Sequence, residues 1–153
     1  MKTNDIDILA ITETRQLMQL GRESKHYWYV QSPPSGTGES LAQGVLLIIA
    51  KTKCVQAQPV LQSLHSRTLI TALLHFKSQG DEIRKTIVSA YYARPSEKQS
   101  CDEKLKMMLG GLSQRYLRDA TIVLGDFNRP REEVTDLLAD SNIHPAPRPL
   151  APN

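Results

Sequence analysis

Asp126 and Asn128 stand two positions apart, directly behind a short apolar run, Thr121-Ile122-Val123-Leu124, and a glycine, Gly125. Side chains alternate along a strand with a period of two, so residues two apart leave it on the same side. The pair is expected to emerge together from the strand end, with Phe127 turned the other way into the core. A carboxylate and a carboxamide at the mouth of a buried strand suit a hard metal ion, or a water held for attack on phosphate. Local chemistry offers another account, because Asp and Asn are also favoured in capped turns ahead of helices. Other polar strand ends bear on the choice. Glu13 follows the apolar run Asp7 to Ile11, and Tyr92 ends the run Thr86 to Tyr92. Ligands in layered α/β sheets gather where strand termini and their loops meet. Each of these two also has a structural account: a glutamate behind a strand is commonly just solvated, and tyrosine is a favoured strand residue.

The elements that must position these groups follow from the apolar pattern. Asp7–Ile11 reads as a buried strand, Tyr27–Val30 as a short one, and Gly44–Ala50 (GVLLIIA) as the clearest core strand. Arg67–Phe76 and Thr86–Tyr92 are further strands, joined by a hairpin-type turn over Lys77–Glu82 that contains Gly80. The stretch from Gln16 to about Ser40 is otherwise polar and includes a loop-forming cluster, Ser32-Pro33-Pro34-Ser35-Gly36. A helix is predicted from Ser100, where Ser100 and Glu103 have capping-box spacing. Leu105, Met108, Leu109, Leu112 and Tyr116 then repeat on one face. Gly110 and Gly111 weaken it by about 1 kcal/mol each relative to alanine. After the Thr121–Leu124 strand a second helix is expected, with Pro130 near its first position and Glu132 and Glu133 in its first turn. Val134, Leu137 and Leu138 would face inward. The order gives a layered α/β arrangement with mixed strand directions.

Bulk properties narrow the function classes. A chain of 153 residues fits one domain with a sizeable core. Aromatic content of 5% argues against a base-stacking platform for single strands. The net charge of +3 permits a polyanionic partner without demanding one. Cys54 and Cys101 have no metal-ligand spacing, which suits a reducing compartment. The start has no secretory pattern, and the longest apolar run, Val45 to Ala50, is far below membrane-spanning length. A soluble intracellular protein, nuclear or cytoplasmic and without a membrane partner, is expected.

Taken in order, the motifs resemble the endonuclease/exonuclease/phosphatase family, whose fold is DNase I-like. The nearest likeness is to the endonuclease domain of non-LTR (LINE-type) retrotransposons. Four stretches carry it: Asp7-Ile8-Leu9-Ala10-Ile11-Thr12-Glu13-Thr14, Gly44 to Ile49, Ile87 to Pro95 with Arg94 inserted into a Tyr-Ala-Pro ending, and Gly125-Asp126-Phe127-Asn128. The likeness runs from about Asn4 to about Ile143. It implies a DNase I-like two-sheet α/β sandwich of the α+β class. It also implies that Glu13 ligates Mg²⁺ (Mn²⁺ being the alternative), that Asp126 orients or deprotonates the attacking water, and that Asn128 positions phosphate or metal-bound water. Tyr92 would contact the scissile phosphate. The implied partner is DNA, with a reverse transcriptase domain encoded nearby, and the implied activity is Mg²⁺-dependent phosphodiester hydrolysis.

The departures from that family shape the remaining expectations. Its first strand, which carries an active-site asparagine, has no counterpart ahead of Asp7, and none of His26, His65, His75 and His144 follows a Ser-Asp pair as its closing histidine does. His75 reads as a core or edge histidine and His65 as a loop residue. Residues 1–143 therefore read as a partial domain, an incomplete sandwich, and residues 144–153, with four prolines from Pro145 to Pro152, as an extended tail. Uncovered apolar faces and strand edges would favour self-association, and a missing acid/base would cost about 10²–10⁴-fold in rate. The chain is thus expected to be catalytically weak or dead. A non-catalytic remnant that binds nucleic acid, and a phosphoesterase of another branch of the family, are the alternatives.

Overall fold

A computed structural model describes residues 6–14, 21–33, 44–78, 80, 82–116, 118–144 and 146–147. The near-continuous aliphatic run Gly44–Ala50 forms β3, the centre of a three-stranded antiparallel sheet ordered β1-β3-β2, where β1 is Ile8–Thr14 and β2 is Tyr27–Gln31. Pairing of Ile8 with Ile49, Ala10 with Leu47 and Val30 with Leu47 sets which residues share the inner face. A second sheet is ordered β4-β5-β6-β7, from Cys54–Pro59, Leu69–Lys77, Ile83–Tyr92 and Ala120–Asp126. Its first three strands are antiparallel, and β5 and β6 are joined through the hairpin at Gly80, whose φ is +89°. β7 instead runs parallel to β6, which requires a long crossover. Helix α1, Lys98–Arg115, supplies it, and helix α2, Arg131–Leu138, follows β7.

Alternation along β5 and β6 divides the core into two layers. Ile70, Ala72, Leu74, Val88 and Ala90 point at the first sheet, where they meet Val30, Val45, Leu47 and Ile49. Leu69, Leu73, Ile87 and Tyr91 point the other way and are covered by Leu105, Met108, Leu109 and Leu112 of α1 and Leu138 of α2. Strands covered on both faces need apolar residues at successive positions, which is why these runs do not alternate with polar groups. Each fully buried leucine contributes roughly 1.5–3 kcal/mol of transfer free energy. Thr71 and Ser89 are the polar exception on the helix side, and their hydroxyls hydrogen-bond each other at 2.7 Å, which satisfies both.

Several sequence expectations shift. Helix α1 begins at Lys98 rather than Ser100, behind a 3-10 turn at Pro95–Glu97, and no side chain caps it. The Ser100–Glu103 capping box does not form; Glu103 accepts instead from Gln99 Nε2 at 3.2 Å. Strand β4 was not visible in the sequence, because Val55, Gln56 and Gln58 of this edge strand are exposed and the apolar signal is lost. Much of the Ser32–Gly36 loop and most of the proline tail lie outside the described residues. Leu9 and Tyr27 on the outward face of the first sheet and Ile122 on β7, at the end of the second, are exposed. Among the described residues no helix is long and apolar enough to cross a membrane.

Gly125 is the tightest point of the second sheet. It lies opposite Tyr91 with φ +141°, and a Cβ there would fall 1.8 Å from the Tyr91 carbonyl oxygen. No side chain fits, and none tolerates that backbone angle. Gly125→Ala is expected to cost about 3 kcal/mol or more, read as a lower denaturant midpoint at constant slope; a change under 1 kcal/mol would contradict the close approach.

Candidate active site

Glu13 reaches the site through an irregularity in β1. Register slips between Ile11 and Thr14, and Glu13 takes φ +57° inside the strand. A bulge bends a strand and re-aims a side chain, and a left-handed non-glycine residue is held there at a cost of about 1–2 kcal/mol. Strain of this kind points to a constraint beyond packing. The side chain is turned onto the second sheet, where Glu13 Oε1 accepts a hydrogen bond of 2.5 Å from the Tyr92 hydroxyl.

Tyr92 is the last residue of β6, and its Cα partner across the parallel pair is Asp126, the last of β7. The strand ends are laced together around Ala93. Its N–H donates to the Asp126 carbonyl at 2.8 Å, and its own carbonyl accepts from Asn128 Nδ2 at 2.9 Å. The Asn128 N–H donates to Asp126 Oδ1 at 2.9 Å, and Asn128 adopts φ +47°, a left-handed angle asparagine tolerates. The turn account of the Asp-x-Asn pair is met by this hydrogen bond, although no side chain caps α2 behind it. One Asp126 oxygen and one Asn128 N–H are committed to the turn. The second Asp126 oxygen and the Asn128 carbonyl oxygen have no partner among the described residues. Phe127 turns into the helix-side core, 5.0 Å from the Tyr91 ring, as its place in the alternation requires.

The four residues singled out in the sequence thus come together from three strands that are distant in the chain. The ring of Tyr92 is buried between the sheets while its hydroxyl meets Glu13. The hydrogen bond to Glu13 pushes the Tyr92 phenol up to about 12, with burial and the charges of Glu13 and Asp126 acting in the same direction and Arg94 opposing. Tyr92 is accordingly a neutral donor at physiological pH. His65, expected in a polar loop, is half-buried and structural: its Nε2 meets the Thr71 N–H at 3.1 Å and the Val60 carbonyl at 2.9 Å, and burial pulls its pKa down. His75 sits on β5 with Nδ1 2.9 Å from Gln56 Oε1; of the core and edge places expected for it, the edge is excluded, because β4 and β6 flank that strand. Among the described residues no histidine hydrogen-bonds Glu13, Tyr92, Asp126 or Asn128.

Two residues that the sequence did not single out hold the Asp126 loop. Arg129 forms a two-pronged ion pair with Asp102 of α1, at 2.6 and 2.9 Å, and its Nε donates to the Phe127 carbonyl at 3.1 Å. Asp102 also accepts from the Tyr91 hydroxyl at 2.7 Å. Burial works to raise the Asp102 pKa, but the Arg129 and Tyr91 hydrogen bonds outweigh it and hold the carboxyl below its usual range. Arg129 is raised in turn, first by its hydrogen bond to Asp102. Its side chain is 6% exposed, so this pair escapes the screening that makes surface pairs weak. The only sequence signal was an arginine behind Asn128 and an aspartate one turn into a helix, which by themselves name no partner.

The donor set is compatible with a hard divalent cation. Glu13 and Asp126 are exposed, and each keeps one carboxylate oxygen without a partner among the described residues; Mg²⁺ typically takes one or two protein carboxylates and retains waters. Among the described residues no three His, Cys, Asp or Glu side chains converge as a preformed chelate.

Known structures carry the same architecture. The human Nocturnin catalytic domain, solved with bound sulfate, superposes with a TM-score of 0.56 at 19% identity, over 88% of this chain and 56% of that one. ANGEL2, described as a 2',3'-cyclic phosphatase, superposes at 0.51 and 14% identity, over 87% and 42%. The fold is DNase I-like. The chain spans about half the length of the solved structures it matches. No protein-family model and no curated protein matches the sequence.

Two outcomes test this geometry. Glu13→Ala removes the acceptor that raises Tyr92, so phenolate absorbance assigned to Tyr92, by difference from Tyr92→Phe, is expected to move from about 12 towards 10. The sign is that of a raised acid: the contribution of this hydrogen bond to stability is whole below about pH 10 and is lost as pH rises through about 12. An unmoved titration would separate the two side chains. Arg129→Ala leaves Asp102 partly buried and unpaired, and is expected to lower stability by about 3 kcal/mol in equilibrium unfolding at pH 7; a neutral result would show the pair to be superficial.

Proposed function

We propose that this chain hydrolyses phosphodiester bonds in DNA with a divalent cation, Mg²⁺ or Mn²⁺, as a retrotransposon-type endonuclease domain. The observation that supports the reading is the convergence of Glu13, Tyr92 and Asp126 from β1, β6 and β7 on one solvent-facing point. Two proteins of the same fold give coarser support, one with a bound sulfate and one described as a cyclic phosphatase.

Glu13 would hold the cation, which would supply positive charge to the phosphate oxygens as negative charge builds on them. Asp126 directs its unpartnered oxygen at the attacking water and takes up its proton. Tyr92, neutral at physiological pH, donates from its hydroxyl to a phosphate oxygen once that hydroxyl is released from Glu13. Asn128, anchored through one N–H to Ala93, presents its remaining amide groups to the phosphate at a fixed angle. Fixed donors in place before reaction are worth more than mobile ones, because they need not reorganise when charge develops. With no histidine hydrogen-bonded to this cluster among the described residues, protonation of the leaving oxygen falls to water, and turnover is slow.

A second reading is a non-catalytic fold of the same family that binds nucleic acid through its excess positive charge of +3. A domain boundary near residue 143, self-association through exposed Leu9, Tyr27 and Ile122, and a neighbouring reverse transcriptase belong to the same proposal. Supercoiled plasmid incubated with the full chain is expected to be nicked slowly with Mg²⁺ and not with EDTA. Glu13→Ala and Asp126→Ala should each lower the rate by about 10²-fold or more. Absence of Mg²⁺-dependent hydrolysis of plasmid and of bis(p-nitrophenyl) phosphate alike would overturn the catalytic reading and leave the binding one.

A further inference from the structure

A second polar cavity lies beside the candidate site. Its volume is about 110 Å³, and it is lined by Ser66, Arg67, Thr68, Arg94, Glu97 and Lys104. That is room for several waters or a small oxyanion. Three cations face one carboxylate. Glu97 is already paired with Arg94, at 2.8 Å, while Arg67 and Lys104 have no partner among the described residues. The cavity therefore carries uncompensated positive charge.

The cavity is built on a rigid frame. Ser66 and Leu69 close a tight turn through reciprocal backbone hydrogen bonds of 2.8 and 3.3 Å. Within it the hydroxyls of Ser66 and Thr68 hydrogen-bond each other at 3.1 Å, and Arg67 lies between them in the chain. The Thr68 carbonyl accepts the Tyr92 N–H at 2.8 Å, and Arg94 follows Tyr92 by two residues. The turn is thus fixed directly to the strand end that bears the reactive phenol.

We propose that this cavity binds a second phosphate group of the substrate, next to the one that is cleaved. The proposal rests on the phosphoester reading above and deepens it: the substrate carries at least two phosphates, one at Tyr92 and one held by Arg67, Arg94 and Lys104. Two guanidinium groups, an ammonium and the one hydroxyl proton left free by the Ser66–Thr68 hydrogen bond match the donor-only demand of a phosphate, which offers acceptors on every side. Glu97 acts against it, so an incoming anion must draw Arg94 away from that carboxylate.

Binding and turnover are read separately. In two-dimensional NMR at low ionic strength, titration of the full chain with inorganic phosphate is expected to shift the amides of residues 66–68 and 94–97. Arg67→Ala with Lys104→Ala should weaken this binding about tenfold or more, the loss of two charge-assisted contacts, and Glu97→Gln should tighten it. A gain of affinity cannot come from misfolding. In turnover, the KM of a thymidine dinucleotide bearing an added 5'- or 3'-terminal phosphate should fall about tenfold below that of the bare dinucleotide, for one of the two ends. The double variant should erase that difference and leave the bare dinucleotide unaffected. Phosphate shifts that are absent, that lie elsewhere or that ignore all three substitutions would overturn the proposal. Hydrolysis of neither dinucleotide, with phosphate still binding here, would instead overturn the catalytic reading and keep the anion site.

Discussion

The parallel pairing of β6 with β7 sets Gly125 opposite Tyr91 and Asp126 opposite Tyr92, and a slip of one residue would turn every side chain of β7 to the other face. Two features pin that register. The glycine is the one residue type that fits against the Tyr91 carbonyl, and the Ala93 N–H and carbonyl are both taken by the Asp126–Asn128 turn. With the register held, Asp126 must stand beside the Tyr92 hydroxyl, and Phe127 must enter the helix-side core. The site is a consequence of strand pairing before it is a consequence of any side chain.

Two adjacent tyrosines show how one sheet turns the same residue type to two different partners. Tyr91 faces the helices, where its hydroxyl completes the Asp102–Arg129 pair and its ring rests on Phe127. Tyr92 faces the first sheet and reaches Glu13. Burial and the Asp102 hydrogen bond push the first phenol far up, and the Glu13 hydrogen bond raises the second. The same residue type thus ties the helices to the sheet on one face and the two sheets to each other on the other, and the difference lies in which partner each meets.

Some of this was legible in the chain and some was not, for physical reasons. The strand β3 and the segments ending at Tyr92 and Asp126 announced themselves because strands buried on both faces require long aliphatic runs. The Gly-Asp-Phe-Asn stretch was legible because each residue has a distinct local demand: no Cβ, a turn acceptor, a core ring, a left-handed backbone. The edge strand β4 was hidden, since half-exposed Gln56 and Gln58 leave no pattern. The start of α1 moved because the chain entered helix directly from the turn at Pro95–Glu97, without a cap. The Asp102–Arg129 pair was invisible because it joins residues 27 apart whose meeting depends on how α1 lies across the sheet. The bulge at Glu13 likewise has no sequence mark, as no glycine or proline announces it.

That bulge carries an implication for descent. Glutamate has no intrinsic reason to occupy a left-handed backbone position in a strand, whereas glycine or asparagine would relax it. Replacement by glycine would relieve the backbone and at the same time forfeit the carboxylate that accepts from the Tyr92 hydroxyl. An acid retained at position 13 across a lineage would therefore mark the carboxylate itself, and not the backbone angle, as what is kept.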